Sequence, residues 1–164
     1  MGSMKTIPFF ILFALLLTSS FAAERKPLPK DTKTKVVKAL DLNDDLHMAF
    51  FNYDGKKIES LAQTLKEQLK KVKNEEIKKV FKEAMATLTQ LSAKATREEN
   101  NENFFKVSRA FVYIVNRYDV GEGYNEYTCP MVKKKWVQNS KKRARVHNPY
   151  APEMPHCGGQ VTEY

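Results

Sequence analysis

The chain is 164 residues long, with 28 Lys and Arg against 19 Asp and Glu, a net charge of +9 and two cysteines. This length allows one domain with a hydrophobic core of its own. No stretch reaches the roughly 20 consecutive apolar residues that a membrane-spanning helix needs, so we expect no helical membrane span.

The first 23 residues have the pattern of a secretory signal peptide. Lys5 precedes an apolar run over 7–17, and Ser20-Phe21-Ala22 offers a small-x-small processing site, so we expect cleavage near Ala22 or Ala23. The mature protein would be periplasmic or secreted and would keep a net charge of about +8. An exported protein does not meet nucleic acid, which leaves lipid headgroups, acidic proteins and cell-wall polymers as anionic partners.

Residues 24–120 predict a short leader followed by helices. Residues 24–33 combine two prolines with alternating charge and are expected to be flexible. Over 34–120, apolar residues recur near every 3.6 positions, and four helices are predicted. They cover about 32–53 (with a break at Asn43-Asp44-Asp45), 56–72, the segment capped by Asn74, and a segment from Asn100-Asn101 to about Tyr118. Long helices with short turns predict an all-α, up-and-down four-helix bundle.

Residues 121–164 differ in composition and are expected to be an irregular Cys/Met/Pro-rich tail of the same domain, packed on the bundle. They contain four of the seven prolines, both cysteines, the only tryptophan and two of the three histidines. No helical period continues into this segment. We therefore expect something other than a large core to hold it.

The two cysteines each lie close to a methionine and a proline, in Cys129-Pro130-Met131 and Met154-Pro155-His156-Cys157. Thiolate and thioether ligands select Cu(I) over hard ions. The prolines lower the entropy cost of ordering each pair, and a closed metal site could supply folding energy. The predicted metal ligands are therefore Cys129, Met131, Met154 and Cys157. Weaker candidates are His156, His147 and His47, the last beside Met48 on the first helix.

Other chemistries for the same residues remain open or are excluded. Two cysteines in an exported protein commonly form a disulfide, and a Cys129–Cys157 bond would contribute ~3.5 kcal/mol by closing the loop. Zinc held by both cysteines with His147 and His156 fits less well, because structural zinc sites use closely spaced ligand pairs. The sequence has no Cys-x-x-Cys-His motif for haem. It also lacks a phosphate-binding glycine loop, and no third group orients a Cys–His pair, so we do not expect an enzyme.

A basic run over 133–145 contains seven cations and no acidic residue. It is either a solvated face or a surface for anionic lipid or an acidic partner, since each cation near an anionic membrane contributes about 1 kcal/mol. Trp136 within the run either packs in the interior or anchors at a membrane interface. The cations are Lys133, Lys134, Lys135, Lys141, Lys142, Arg143 and Arg145.

The order of motifs in the tail resembles a family. Tyr127-Thr128-Cys129-Pro130-Met131, Trp136, His147-Asn148-Pro149-Tyr150, Met154 and Cys157-Gly158 resemble the domains of unknown function in periplasmic copper and heavy-metal efflux systems. The resemblance implies a metal role for both Cys/Met pairs. It implies a framework role for Trp136, Asn148, Pro149 and Tyr150, and efflux-pump components or other periplasmic copper proteins as partners.

The predicted function is an exported Cu(I)-binding protein that acts as a metal buffer, a chaperone or an efflux accessory. The alternative is a structural or interaction bundle, without metal, whose tail is stapled by a Cys129–Cys157 disulfide.

Overall fold

The computed structural model describes residues 24–164, and the expected signal peptide over 1–23 lies outside them. Within the described residues the chain forms four α-helices and a three-stranded antiparallel sheet. Helix accounts for 52% and strand for 11%, so the prediction of an all-α four-helix bundle is wrong and the fold is mixed. No helix among these residues is long and apolar enough to cross a membrane.

The helices lie close to their predicted positions. They are α1 (Lys30–Asn52), α2 (Gly55–Lys70), α3 (Glu75–Leu88) and α4 (Arg97–Arg117). The Asn74 side chain accepts a hydrogen bond from the Ile77 amide and caps α3, which confirms the predicted cap. Helix α4 begins three residues before its predicted start, because Thr96 and Glu99 form a reciprocal capping box.

Helix α1 is continuous through Asn43-Asp44-Asp45, so the predicted break is wrong. Asn43 and Asp44 are buried rather than exposed in a turn. The Asp44 carboxylate accepts hydrogen bonds from Arg143 Nη1, which compensates its charge inside the protein. A tertiary ion pair thus allows polar residues within the helix that would favour a turn in isolation.

The C-terminal segment forms the sheet that the sequence did not predict. Strands β1 (Tyr124–Cys129), β2 (Lys134–Asn139) and β3 (Gly159–Gln160) pair antiparallel in the order β2-β1-β3. Trp136 is fully buried on β2 and joins the hydrophobic core, so the interior role predicted for it is confirmed. The expectation of an irregular tail held without a large core is wrong.

The segment before α1, expected to be flexible, is hydrogen-bonded to the end of α4. The Lys26 amide donates to the Arg117 carbonyl at 2.9 Å, and the Asp119 amide donates to the Lys26 carbonyl at 2.8 Å. The Arg25 guanidinium lies 3.8 Å from the centre of the Tyr164 ring, a cation–π contact. Both ends of the described chain therefore pack at the same place.

Candidate metal centre

The two cysteines come together where β1 ends and β3 begins. Cys129 is the last residue of β1, and Cys157 lies two residues before β3. Because Thr128 pairs with Gly159 across these strands, the two cysteine side chains come within 2.6 Å. Both are free thiols in the structure, so the predicted disulfide is not present in it. Cys129 is fully buried and Cys157 is partly exposed.

Gly158 and Asn148 position Cys157. Gly158 has a φ of 129°, and a Cβ atom at this position would lie 2.6 Å from the Thr128 carbonyl oxygen, so only glycine lets the chain approach β1 this closely. The side chain of the buried Asn148 donates from Nδ2 to the Cys157 carbonyl at 3.0 Å. The backbone amide of Asn148 donates to the Pro155 carbonyl at 2.8 Å. Asn148, for which the resemblance implies a framework role, therefore contacts the cysteine site directly.

The environment of the pair favours one thiolate and one thiol. Burial alone would raise the pKa of Cys129, but hydrogen bonds from the Cys157 thiol and the Val132 and Met131 amides outweigh it and lower that pKa. The hydrogen bond to Cys129 raises the pKa of Cys157, and burial adds to this. Cys129 is thus the more acidic thiol of the pair, the one that loses its proton first, and it accepts a hydrogen bond from Cys157. The thiolate is the form of cysteine that binds metals.

The two methionines of the predicted site lie at the surface. Met131 is in the β1–β2 turn and is 69% exposed, and Met154 is 39% exposed in the turn before Cys157. The Cys157 backbone amide donates to the Met154 carbonyl at 2.9 Å, which fixes their relative backbone positions. The structure thus brings the two thiols into contact, whereas both thioethers are accessible to solvent.

The three histidines separate into two environments. His47 is fully buried, and its Nε2 donates to the His147 carbonyl at 2.8 Å. Burial lowers the pKa of His47 to about 4, so this imidazole is neutral at physiological pH. His147 Nδ1 lies 3.4 Å from Met48 Sδ, and the ring centres of His147 and His156 are 5.9 Å apart. The sequence indicated these histidines, but it gave no sign that Met48 faces His147 rather than the core.

Among residues 24–164, no group of three or more His, Cys, Asp and Glu side chains is arranged to hold a metal ion. The predicted zinc alternative, with both cysteines, His147 and His156, is therefore not assembled in this arrangement. Thioether sulfurs are not among those four residue types, so this finding does not bear on methionine-containing sites.

Most of the basic run is paired with carboxylates. Five of its seven cations form ion pairs, including Lys135 with the buried Glu126 at 2.6 Å and Arg143 with the buried Asp44 at 2.5 Å. Within the described residues only Lys133 and Arg145 of the run have no ion pair. The other three pairs are Lys134–Glu102, Lys141–Glu122 and Lys142–Asp41. The run is therefore not a continuous unpaired cationic surface.

A groove of about 660 Å³ lies between α4 and the outer side of β1, and Cys129 is in its lining. The lining also includes apolar side chains, among them Phe105, Val112 and Tyr113, and more basic than acidic ones. The basic residues are Arg109, Arg117, Lys133 and Lys135, and the one acidic residue, Glu126, pairs with Lys135. An elongated ligand in this groove would thus lie beside the thiol pair.

No protein-family model matches the chain, and neither does any of the curated proteins or solved structures compared with it. The resemblance of the tail motifs to efflux-system domains therefore stays a prediction.

Proposed function

We propose that the protein is an exported Cu(I)-binding protein that serves as a metal buffer, a chaperone or an efflux accessory. The observation that carries this proposal is the contact of Cys129 with Cys157, two thiols from separate segments that come within 2.6 Å. Thiolate ligands select Cu(I), which is satisfied by as few as two of them. The hydrogen bonds that favour the Cys129 thiolate prepare one ligand before the metal arrives.

Binding requires the thiols to separate. A metal–thiolate bond is about 2.3 Å long, so a two-coordinate ion holds its sulfurs roughly twice that distance apart. Cys129 is held in β1, while Cys157 lies in a loop and is partly exposed, so we expect Cys157 to move. The Cys157 proton is released to solvent as the second metal–sulfur bond forms. Metal affinity should therefore rise with pH.

The exposed methionines suit transfer of the metal. Met131 and Met154 are exposed and close in sequence to Cys129 and Cys157, and either thioether could act as a third, weakly held ligand. The groove beside Cys129 carries four basic side chains and one acidic side chain, Glu126, and this excess of positive charge favours an acidic partner. These features support the predicted partners, efflux-pump components or other periplasmic copper proteins. The paired cations of the basic run give less support to an anionic membrane surface.

Copper binding by the thiols is tested with the reduced protein and a C129S/C157S variant. The reduced parent should bind Cu(I) with the ultraviolet charge-transfer absorption of a copper–thiolate bond. The variant should lose that absorption and one equivalent of copper. A M131L/M154L variant serves as the control and should keep the absorption, because both thiolates remain. Absence of the absorption in the reduced parent, or its persistence in C129S/C157S, would overturn the proposal.

The disulfide-stapled structural protein remains the second candidate, because the same contact means that oxidation of the pair needs little movement. Counting free thiols in protein isolated from its own compartment separates the two functions. Two free thiols favour copper binding. No free thiols, together with no copper binding after reduction, favour the staple.

A further inference from the structure

A second group of soft donors lies on the opposite side of the loop from the cysteine pair. Met48 comes from α1, and His147 and His156 come from the segment between β2 and β3. Met48 Sδ is 3.4 Å from His147 Nδ1, and the two imidazole ring centres are 5.9 Å apart. His156 and Cys157 are neighbours in sequence, but Cys157 contacts Cys129 while His156 packs beside His147.

The spacing of Met48 and His147 matches that of two donors on one ion. A metal–nitrogen bond is about 2.0 Å and a metal–sulfur bond about 2.3 Å long. With donors 3.4 Å apart, these bonds meet at an angle of about 105°, slightly below the tetrahedral value. An ion shared by these side chains would replace the hydrogen bond that Met48 Sδ accepts from Arg143 Nε at 3.0 Å, and it requires His147 Nδ1 to be the unprotonated ring nitrogen.

The third donor, His156, has its tautomer fixed by the backbone. Its Nδ1 lies 2.7 Å from the Val146 carbonyl oxygen, which can only accept, so Nδ1 carries the proton and Nε2 keeps a free lone pair. Metal-bound histidines commonly have this carbonyl contact on their other nitrogen. Phe51 stacks on His147 at 4.5 Å and lies 6.2 Å from His156, so one apolar ring supports both imidazoles.

His47 positions this group without belonging to it. Its Nε2 donates to the His147 carbonyl, and the ring is fully buried, so it holds the backbone of a donor residue. Arg143 Nε lies 3.0 Å from Met48 Sδ, while its guanidinium pairs with Asp44. A nearby cation opposes a divalent ion more strongly than a monovalent one, since the repulsion scales with charge.

We propose that Met48, His147 and His156 form a second, thiol-free site for a soft monovalent metal ion, Cu(I) or Ag(I). Thioether and imidazole donors suit such an ion, and no carboxylate belongs to the donor set. The site does not depend on the state of the cysteines. It would hold metal when Cys129 and Cys157 are oxidised, which goes beyond the proposed thiol function.

The test uses Cu(I) with ascorbate, in competition with a chromophoric Cu(I) chelator, on the C129S/C157S variant. This variant should bind one equivalent of Cu(I). Adding Met48→Leu or His156→Gln should weaken binding by about tenfold or more, as expected for loss of a ligand. Adding Met85→Leu, on α3 and outside both proposed sites, is the matched control and should leave the affinity unchanged. Met48→Leu conserves volume, and thermal unfolding checks that each variant folds.

A structural readout separates direct binding from an indirect effect. Titration with the redox-inert Ag(I), followed by ¹⁵N NMR of the imidazoles, should shift the ring signals of His147 and His156 and leave His47 nearly unchanged. No copper binding by C129S/C157S would overturn this site while leaving the thiol proposal standing. Equal affinity with and without Met48→Leu and His156→Gln would also overturn it. Loss of the copper–thiolate absorption concerns only the cysteine site.

Discussion

The helical layer, formed by α1 to α4, and the C-terminal layer, residues 121–164, are stabilised in different ways. The buried residues of the helices are mainly apolar, with Phe50 and Phe104 stacked 4.2 Å apart at the centre. The C-terminal layer buries many polar side chains, which find specific partners. Gln138, for example, donates to the Arg145 carbonyl at 2.7 Å and accepts from the His147 amide at 2.9 Å. Hydrophobic burial makes the first layer stable, whereas satisfied hydrogen bonds fix the position of each loop in the second.

This difference explains why all of the proposed donors except Met48 lie in the second layer. A packed apolar core tolerates small changes poorly and offers no ligands. A loop held by side-chain amides can place Cys157 and His156 on opposite sides of one short segment. Asn148 and Gln138 are buried, and each holds the backbone of a proposed ligand: Asn148 that of Cys157 and Gln138 that of His147.

The largest effect is expected from a cavity in the helical layer. Phe104→Ala removes a fully buried ring stacked on Phe50 and should lower the free energy of unfolding by about 3–5 kcal/mol. Urea denaturation, followed by circular dichroism, measures this.

Tyr113→Ala on the same helix is the control. This side chain is 48% exposed, so the free energy of unfolding should change by only about 0.5 kcal/mol. Similar losses for the two variants would contradict the assignment of stability to the buried aromatic core.

The next largest effect is expected at the connection between the layers. Arg143→Met leaves the buried Asp44 carboxylate on α1 without its cation and should cost about 3 kcal/mol in the free energy of unfolding. Replacing both partners, as in D44N/R143M, should recover part of this loss, because no unpaired charge then remains buried. Thermal and urea unfolding of the two variants measure the difference.

Lys141→Met provides the comparison at an exposed pair. Lys141 and Glu122 are mostly solvated, so its loss should cost about 0–1 kcal/mol. If Arg143→Met were as mild as Lys141→Met, the two layers would not be joined through Asp44.

The helical layer could largely be predicted from the sequence, because its apolar residues follow a helical period and Asn74 is a recognisable cap. The earlier start of α4 was also encoded, since Thr96 and Glu99 have capping-box spacing. The sheet was missed because both faces of its strands are buried with polar residues. Asn125 and Glu126 on β1, like Gln138 on β2, are buried, so no apolar alternation marks the strands.

The candidate site could be predicted in its residue types but not in its grouping. The Met and Pro neighbours of Cys129 and Cys157 indicated a soft-metal site, and the structure brings these cysteines together. The separation of His147 and His156 from the cysteines could not be predicted. It depends on β3 pairing with β1 and on α1 presenting Met48, and these are long-range contacts.

The smallest effect on stability, and the most informative for the site, is expected at Gly158. Alanine there must adopt a φ near 129° and would meet the Thr128 carbonyl, so Gly158→Ala should cost about 1–3 kcal/mol. The strain is relieved most simply by moving Cys157 away from β1. Disulfide formation under a mild oxidant should therefore slow markedly, and the loss of free thiols with time measures its rate.

Gly159→Ala is the matched control for this prediction. A Cβ atom at Gly159 meets no other atom within 4 Å, and the residue does not have a positive φ. Its stability and its rate of thiol oxidation should stay close to those of the parent, within about 0.5 kcal/mol for unfolding. Equal oxidation rates in the two glycine variants would mean that Gly158 does not hold Cys157 against Cys129. If thiol oxidation is slow in G158A but not in G159A, the contact between the thiols depends on the close approach of β3 to β1 and not on the helical layer.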